Sequence, residues 1–217
     1  MFAHLFGAAP PSLATMVVRP ETHAGTGTVP RVFADAVAAM RGARLRPEVL
    51  VEEMPAPQRI APYASALTGD VDVDDEEVGT GRIILLHDPD GNVAWEGEFR
   101  CVAYVRADLD PELITDPVLA DVVWSWLTDA LADHGAEHVA PSGTVTRVAS
   151  ESFGGIADEP GTAQVEIRAS WTPVDPTRVG DHVEAWGQLL CTAAGLEPVP
   201  DGVTAMPSRR GQRGHGA

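Results

Sequence analysis

The chain has 217 residues, 44% of them hydrophobic, and a formal net charge of −17. This length fits one domain with additional terminal residues, and this composition is sufficient for a packed core. All 15 basic residues are arginine. The absence of lysine excludes Schiff-base enzymes and standard P-loop or kinase phosphate binding, and the acidic balance argues against nucleic-acid binding.

The two ends of the chain lack a regular hydrophobic period. Residues 1–29 contain adjacent prolines and scattered glycines, so we predict a disordered N-terminal segment there. Residues 200–217 end in an arginine- and glycine-rich stretch, which we predict to be a disordered basic tail. Residues 30–199 then form a single α+β domain.

The first part of this domain predicts a helix, a short strand and a loop. Residues 30–43 follow the pattern of an amphipathic helix, with apolar side chains at Val32, Phe33, Val37 and Met40. Residues 49–51 predict a short strand between two prolines. Residues 63–67 allow a helical turn, and the acidic residues 70–79 are expected to form a solvated loop.

A hairpin is predicted next, with strands at 82–87 and 93–106 and a turn at 88–92, where proline and glycine favour a reversal. Its second strand alternates between two faces. The apolar face comprises Val93, Trp95, Phe99, Cys101, Ala103 and Val105. The polar face comprises Glu96, Glu98, Arg100, Tyr104 and Arg106.

The second half of the domain predicts a helix over 111–134, a hairpin with strands at 143–153 and 162–172, and a last helix over 180–194. The resulting element order is α-β-β-β-α-β-β-α. It predicts an α+β two-layer sandwich, in which an antiparallel sheet of four to five strands carries helices on one face.

The polar side of the two long strands is the main candidate for a functional surface. Glutamates flanked by arginines could hold an anionic ligand or perform acid–base chemistry. Alternatively, the same pattern is a solvated face with cross-strand ion pairs, which is the interpretation that we favour. The candidate residues on this face are Glu96, Glu98, Arg100, Arg106, Glu166 and Arg168.

Two further residues are secondary candidates. Glu151 precedes Gly154 and Gly155, whose backbone N–H groups could approach an anion, although a hairpin loop explains the same residues. Trp124 lies two positions from Trp126, so both cannot occupy one helix face. One of the two tryptophans could therefore be exposed at an interface.

We predict no metal site and no cofactor. The acidic run that starts at Asp70 lacks the glycine and glutamate that a calcium loop requires at its sixth and twelfth positions. His134 and His138 have a metal-ligand spacing only if they share a helix, and Gly135 between them is expected to end it.

Location is predicted from the cysteines and the apolar runs. Cys101 and Cys191 are expected to be buried free thiols in a reducing compartment. Apolar runs such as 83–86 are too short to span a bilayer, so we expect a cytoplasmic protein without a membrane contact.

Several stretches distributed over residues 30–200 resemble an actinobacterial family called domain of unknown function 3000. They are Arg46–Val49, Glu53–Pro57, Ile60–Tyr63, Leu86–Gly91, Trp124–Leu127, Ser142–Glu151 and Arg168–Pro173. The resemblance implies an actinobacterial, cytoplasmic protein and supplies no activity or functional residue. The element order alone is also similar to that of the small acidic dimeric chaperones of type III secretion, which implies a binding role.

Two hypotheses about function follow. The first is a non-catalytic cytoplasmic domain that binds protein, chaperone-like or regulatory, either as a homodimer or with another protein partner. The second is an enzyme of unrecorded type that acts on a small anionic substrate and uses Glu98, Arg100 and Glu151. A deep pocket lined by these side chains would favour the enzyme, whereas a flat polar face would favour binding.

Overall fold

The computed structural model describes residues 28–57, 59–73 and 76–197. Within these residues the chain forms three α-helices and one antiparallel sheet of six strands. The elements are α1 (Arg31–Arg41), β1 (Val49–Met54), β2 (Tyr63–Val73), β3 (Glu76–Asn92), β4 (Gly97–Leu109), α2 (Leu119–Asp133), β5 (His138–Ser150), β6 (Thr162–Pro173) and α3 (Val179–Ala193). Apart from residues 28 and 29, the predicted disordered ends lie outside the described residues.

The strands lie side by side in the order β1-β2-β3-β4-β6-β5, and every neighbouring pair is antiparallel. All three helices pack on one face of this sheet. Helix α3 covers β3 and β4 at the centre, α1 lies against α3 on one side, and α2 lies against α3 and β5 on the other. The α+β class and the helices on one face are therefore as predicted.

The prediction of four to five strands was wrong, because β2 was not recognised. Residues 63–67 are strand rather than a helical turn, and the acidic stretch 70–79 belongs to β2 and β3, except for residues 74 and 75, which are not described. In β2, Leu67 and Val71 are buried under the helices, whereas Asp70 and Asp72 lie on the opposite face. This alternation is that of a half-buried strand.

Glycines in β2 and β3 make room for Trp186 and Leu190 of α3. A Cβ atom at Gly69 would lie 2.7 Å from Cη2 of Trp186, and one at Gly81 would lie 2.8 Å from Cδ2 of Leu190. Both distances are too short for real contacts. Trp186 itself is fully buried. The glycines that suggested a loop in the sequence therefore allow a helix to approach the sheet closely.

The predicted first hairpin needs one correction at its tip. Strand β3 continues to Asn92, and the chain reverses over residues 93–96. Val93 is 97% exposed, so its predicted place on the buried face was wrong. Glu96 adopts a φ of 58°, a left-handed conformation that turns tolerate. From Phe99 onward the predicted alternation is confirmed.

The other predicted elements correspond to observed ones with shifted ends. The helix expected over 111–134 begins only at Leu119, after a short 3₁₀ turn at Leu113–Thr115. Cys101 and Cys191 are both free and buried, as predicted, and burial raises the pKa of Cys101 to about 12 and that of Cys191 to about 11. No helix in the described part of the chain is long and apolar enough to cross a membrane.

A buried hydrogen bond connects the sheet to α3. Nε1 of Trp171 donates to Nδ1 of His182 at 2.9 Å, and both side chains are at most 1% exposed. Burial, with a smaller contribution from His138, lowers the pKa of His182 to about 4. The imidazole must be neutral in the fold, because Nδ1 can accept this bond only without a proton.

We expect His182 to make stability depend on pH. A histidine with a folded pKa of about 4 and an unfolded value of 6.5 stabilises the fold fully above pH 6.5, and this contribution is lost as the pH falls towards 4. Between about pH 7 and about pH 5 the loss is about 2 kcal/mol. His182→Asn keeps an acceptor near Nδ1 but does not titrate.

Urea unfolding of both proteins at the two pH values measures this difference. The variant retains the contribution of the carboxylates to the pH dependence and therefore serves as the control. Equal losses of unfolding free energy in the wild type and in His182→Asn would contradict the assignment.

Candidate functional site

The face of the sheet opposite the helices is called the open face here, and side chains from neighbouring strands form rows across it. In the central row, Arg82 of β3 and Arg168 of β6 both pair with Tyr104 of β4. In the next row, Arg106 of β4 pairs with Glu166 of β6. The register therefore brings together four residues of the predicted polar face, which are Tyr104, Arg106, Glu166 and Arg168, and places Arg82 beside them.

Tyr104 is held between two guanidinium groups. The Cζ atom of Arg82 lies 5.0 Å from the centre of the tyrosine ring, and that of Arg168 lies 5.3 Å from it. Both distances are in the range of cation–π attraction. Because the two arginines flank the ring from adjacent strands, the phenol has little rotational freedom.

Glu166 fixes the other end of this arrangement. Its carboxylate accepts a hydrogen bond from the Tyr104 hydroxyl at 3.2 Å and forms an ion pair of 2.7 Å with Arg168. Burial, together with the charge of Glu166, raises the pKa of Tyr104, although Arg106 and Arg168 oppose this shift. Tyr104 therefore remains protonated and acts as a donor.

A shallow depression of about 390 Å³ lies beside this row. Val102 lies on its floor, Arg82 and Arg168 contribute charge, and hydroxyl groups come from β5 and β6. In the described part of the chain, its lining includes no carboxylate. The residues that line it are Arg82, Val102, Ala103, Tyr104, Ser142, Gly143, Thr144, Arg168, Ala169 and Ser170.

Arg100 is a buried structural residue. It points to the open face but is only 6% exposed. Its guanidinium donates to the carbonyl of Ala140 at 2.9 Å and to three hydroxyl groups, those of Ser170 at 2.8 Å, Ser142 at 3.1 Å and Thr172 at 3.2 Å. Burial lowers its pKa, but a guanidinium keeps its charge in proteins. Arg100 thus fastens β4 to β6 and β5.

One strained residue accompanies this contact. Ala140 has a φ of 49° at the bulge in β5, in the left-handed region that alanine rarely adopts. This conformation presents the carbonyl of Ala140 to Arg100. The hydrogen bond to a buried cation offsets part of the backbone cost.

The remaining predicted candidates do not join this cluster. Glu96 lies in the turn before β4, and Glu98 is exposed near the end of the sheet. Glu151 is exposed after the end of β5. None of the three lines the depression.

Trp124 is a packing residue. It is half-buried, belongs to the side chains packed against the core, and lies over Gly143 of β5. A Cβ atom at Gly143 would be 2.7 Å from Cζ3 of the indole. Trp126 also packs against the core. Two tryptophans at this spacing can both be half-buried because α2 lies between β5 and α3.

Sequence reasoning did not single out Arg82 or the hydroxyl groups of Ser142, Thr144 and Ser170. Arg82 could have been found, because it occupies the polar side of a strand already predicted as part of a hairpin. The hydroxyl groups gave no signal, because only the pairing of β5 with β6 places them beside Tyr104.

The two histidines considered as metal ligands have other contacts. The Nε2 atom of His134 lies 2.8 Å from Gln188, and its Nδ1 atom lies 3.5 Å from Glu184. The Nδ1 atom of His138 donates to the carbonyl of Ala136 at 2.9 Å. Among residues 28–57, 59–73 and 76–197, no three His, Cys, Asp or Glu side chains are grouped to hold a metal ion.

Comparison with known proteins gave one match. The sequence model of a family described as "Protein of unknown function (DUF3000)" matches residues 29–204. No curated protein and no solved structure matches the chain.

The contrast between Arg100 and Arg82 gives a prediction about stability. Arg100→Met should lower the free energy of unfolding by about 2 kcal/mol, because the buried hydroxyl of Thr172 and the partly buried acceptors of Ala140 and Ser170 lose their charged donor. Arg82→Met, on the next strand, removes an exposed cation and should cost about 1 kcal/mol or less. Urea denaturation measures both values. Similar losses in the two variants would show that Arg100 has no special structural role.

Proposed function

Because this chain belongs to the family described as protein of unknown function (DUF3000), as its sequence predicted, and that description states no activity, we propose a function from its surface: a non-catalytic domain that binds a protein partner through the open face. We further propose that it acts in the cytoplasm of an actinobacterial cell, in a chaperone-like or regulatory role. The partner is either a second copy or another protein.

The observation that carries this proposal is the Arg82–Tyr104–Arg168 row on a sheet face that no helix of the described residues covers. Arginine and tyrosine are among the residue types that dominate the binding energy of protein interfaces. Here they are already ordered by stacking and by Glu166. A preformed surface loses less side-chain entropy on binding than a mobile one.

The charges of the open face indicate what the partner presents. Arg82 is exposed, and its guanidinium makes no hydrogen bond or ion pair within the described residues but packs against the ring of Tyr104. Arg106 lies in the next row. Glu166, Asp70 and Asp72 lie on the same face, so these guanidinium groups are basic points among carboxylates, and they would orient acidic side chains of a partner.

The shape of the site favours binding over the alternative, an enzyme acting on a small anionic substrate. The depression is shallow and open, and its lining supplies arginine, tyrosine and hydroxyl groups. An acid–base mechanism through Glu98, Arg100 and Glu151 would require these groups to converge. Arg100 is instead committed to the main chain and hydroxyl groups of β5 and β6.

A comparison of variants with the same charge change tests this proposal. Arg82→Gln/Arg168→Gln removes two cations from the open face. Arg31→Gln/Arg44→Gln removes two exposed cations from the helix side and is the matched control. We expect a protein partner to copurify with the wild type and with the control, and to be lost from the open-face variant, when each is purified gently from its own host and examined by native mass spectrometry.

Three other outcomes would contradict the proposal. Equal retention of the partner by the two double variants would show that it binds elsewhere. A stoichiometric small molecule in place of a protein would support the enzyme. A wild type that retains no protein at all would also count against a stable binding role.

A further inference from the structure

Strand β5 is one outer edge of the sheet, and its free side is long and exposed. It pairs with β6 on one side, from Ser142 to Ser150 without interruption. Every residue of this stretch except Val145 is exposed. An edge of this kind presents unpaired N–H and C=O groups that can bind another strand.

The opposite edge of the sheet, strand β1, has several features that discourage pairing with another strand. Strand β1 has only six residues, and Pro47 and Pro55 lie close to its two ends. It carries Glu52 and Glu53, and Glu53 forms an ion pair of 2.8 Å with Arg41 of α1. Short length, prolines and charges all discourage edge-to-edge pairing. The stretch Ser142–Ser150 is longer than β1 and carries one charge, and Pro141 directly precedes it.

That one charge is bound to the turn before α2. The guanidinium of Arg147 donates to the carbonyl of Asp116 at 2.8 Å and to that of Ile114 at 3.4 Å, on the turn before α2. No acidic residue occurs between Ser142 and Ser150, although the chain as a whole has a net charge of −17. This edge can therefore approach a second acidic copy without direct repulsion.

We propose that β5 pairs with β5 of a second copy, antiparallel and centred on Thr146, so that two sheets become one. Of the four pairs that flank Thr146, three match in size, and the fourth places Val145 opposite the partner's Arg147. Gly143 meets the partner's Ala149, Ser142 meets the partner's Ser150, and β-branched Thr144 meets the partner's Val148. No two like charges are opposite, and a two-fold pairing of this kind closes the assembly at a dimer.

The pairing has a consequence for the open face. Thr144, Thr146 and Val148 lie on the same side of the sheet as Tyr104. In the dimer the two open faces would form one continuous surface, with an Arg82–Tyr104–Arg168 row in each half. This proposal does not depend on the function proposed for that row.

Charge reversal at the centre of the pairing tests the proposal. Thr146→Glu and Thr146→Lys each place two like charges opposite one another, so we expect both variants to be monomers in sedimentation velocity experiments at concentrations where the wild type is a dimer. An equimolar mixture of the two variants should form dimers again. This restored association would show that neither variant is simply misfolded.

Val93→Glu introduces the same charge at a 97% exposed position in the turn before β4 and should remain a dimer. A wild-type monomer at all concentrations, a dimer that both Thr146 variants retain, or a mixture that stays monomeric would each overturn the proposal. Arg82→Gln/Arg168→Gln should lose the partner that binds the open face but keep the dimer that forms through β5, so a failure of the partner-binding proposal can be distinguished from a failure of this one.

Discussion

The close approach of α3 to the centre of the sheet is the constraint on which the rest of the structure depends. Trp186 and Leu190 approach β2 and β3 closely because Gly69 and Gly81 have no side chains there. Once α3 lies over the central strands, α1 and α2 fill the space on its two sides. All three helices are then used on one face, and no helix among the described residues covers the other.

The open face is stabilised by polar contacts within the sheet. Arg100 connects β4 to β6 and β5 through a carbonyl and three hydroxyl groups, without a carboxylate partner in its hydrogen bonds. A buried cation with neutral acceptors is stable only if its donors are satisfied. One of these acceptors is the carbonyl of Ala140 at the bulge in β5. The hydrogen bond to Arg100 therefore positions the bulge and the wall of the depression beside Tyr104.

The candidate site was predictable in outline. Alternation along β4 and β6 placed Arg106, Glu166 and Arg168 on one polar face, and the structure brings them together around Tyr104. Alternation cannot distinguish an exposed arginine from a buried one, so Arg100 was grouped with the others. It also cannot say which strands are neighbours, and Arg82 joined the site only through the pairing of β3 with β4.

The sequence by itself determined the α+β class, the three helices, the hairpins and the family, because hydrophobic periods of 3.6 and 2 residues and turn residues are local signals. Only the tertiary structure decided that the acidic, glycine-rich residues 69–73 and 76–81 are strand. Glycine and aspartate are poor strand formers by local propensity. Here Gly69 and Gly81 leave room for Trp186 and Leu190 of α3, and Asp70 and Asp72 lie on the open face of the sheet. Both conditions arise only from contacts distant in sequence.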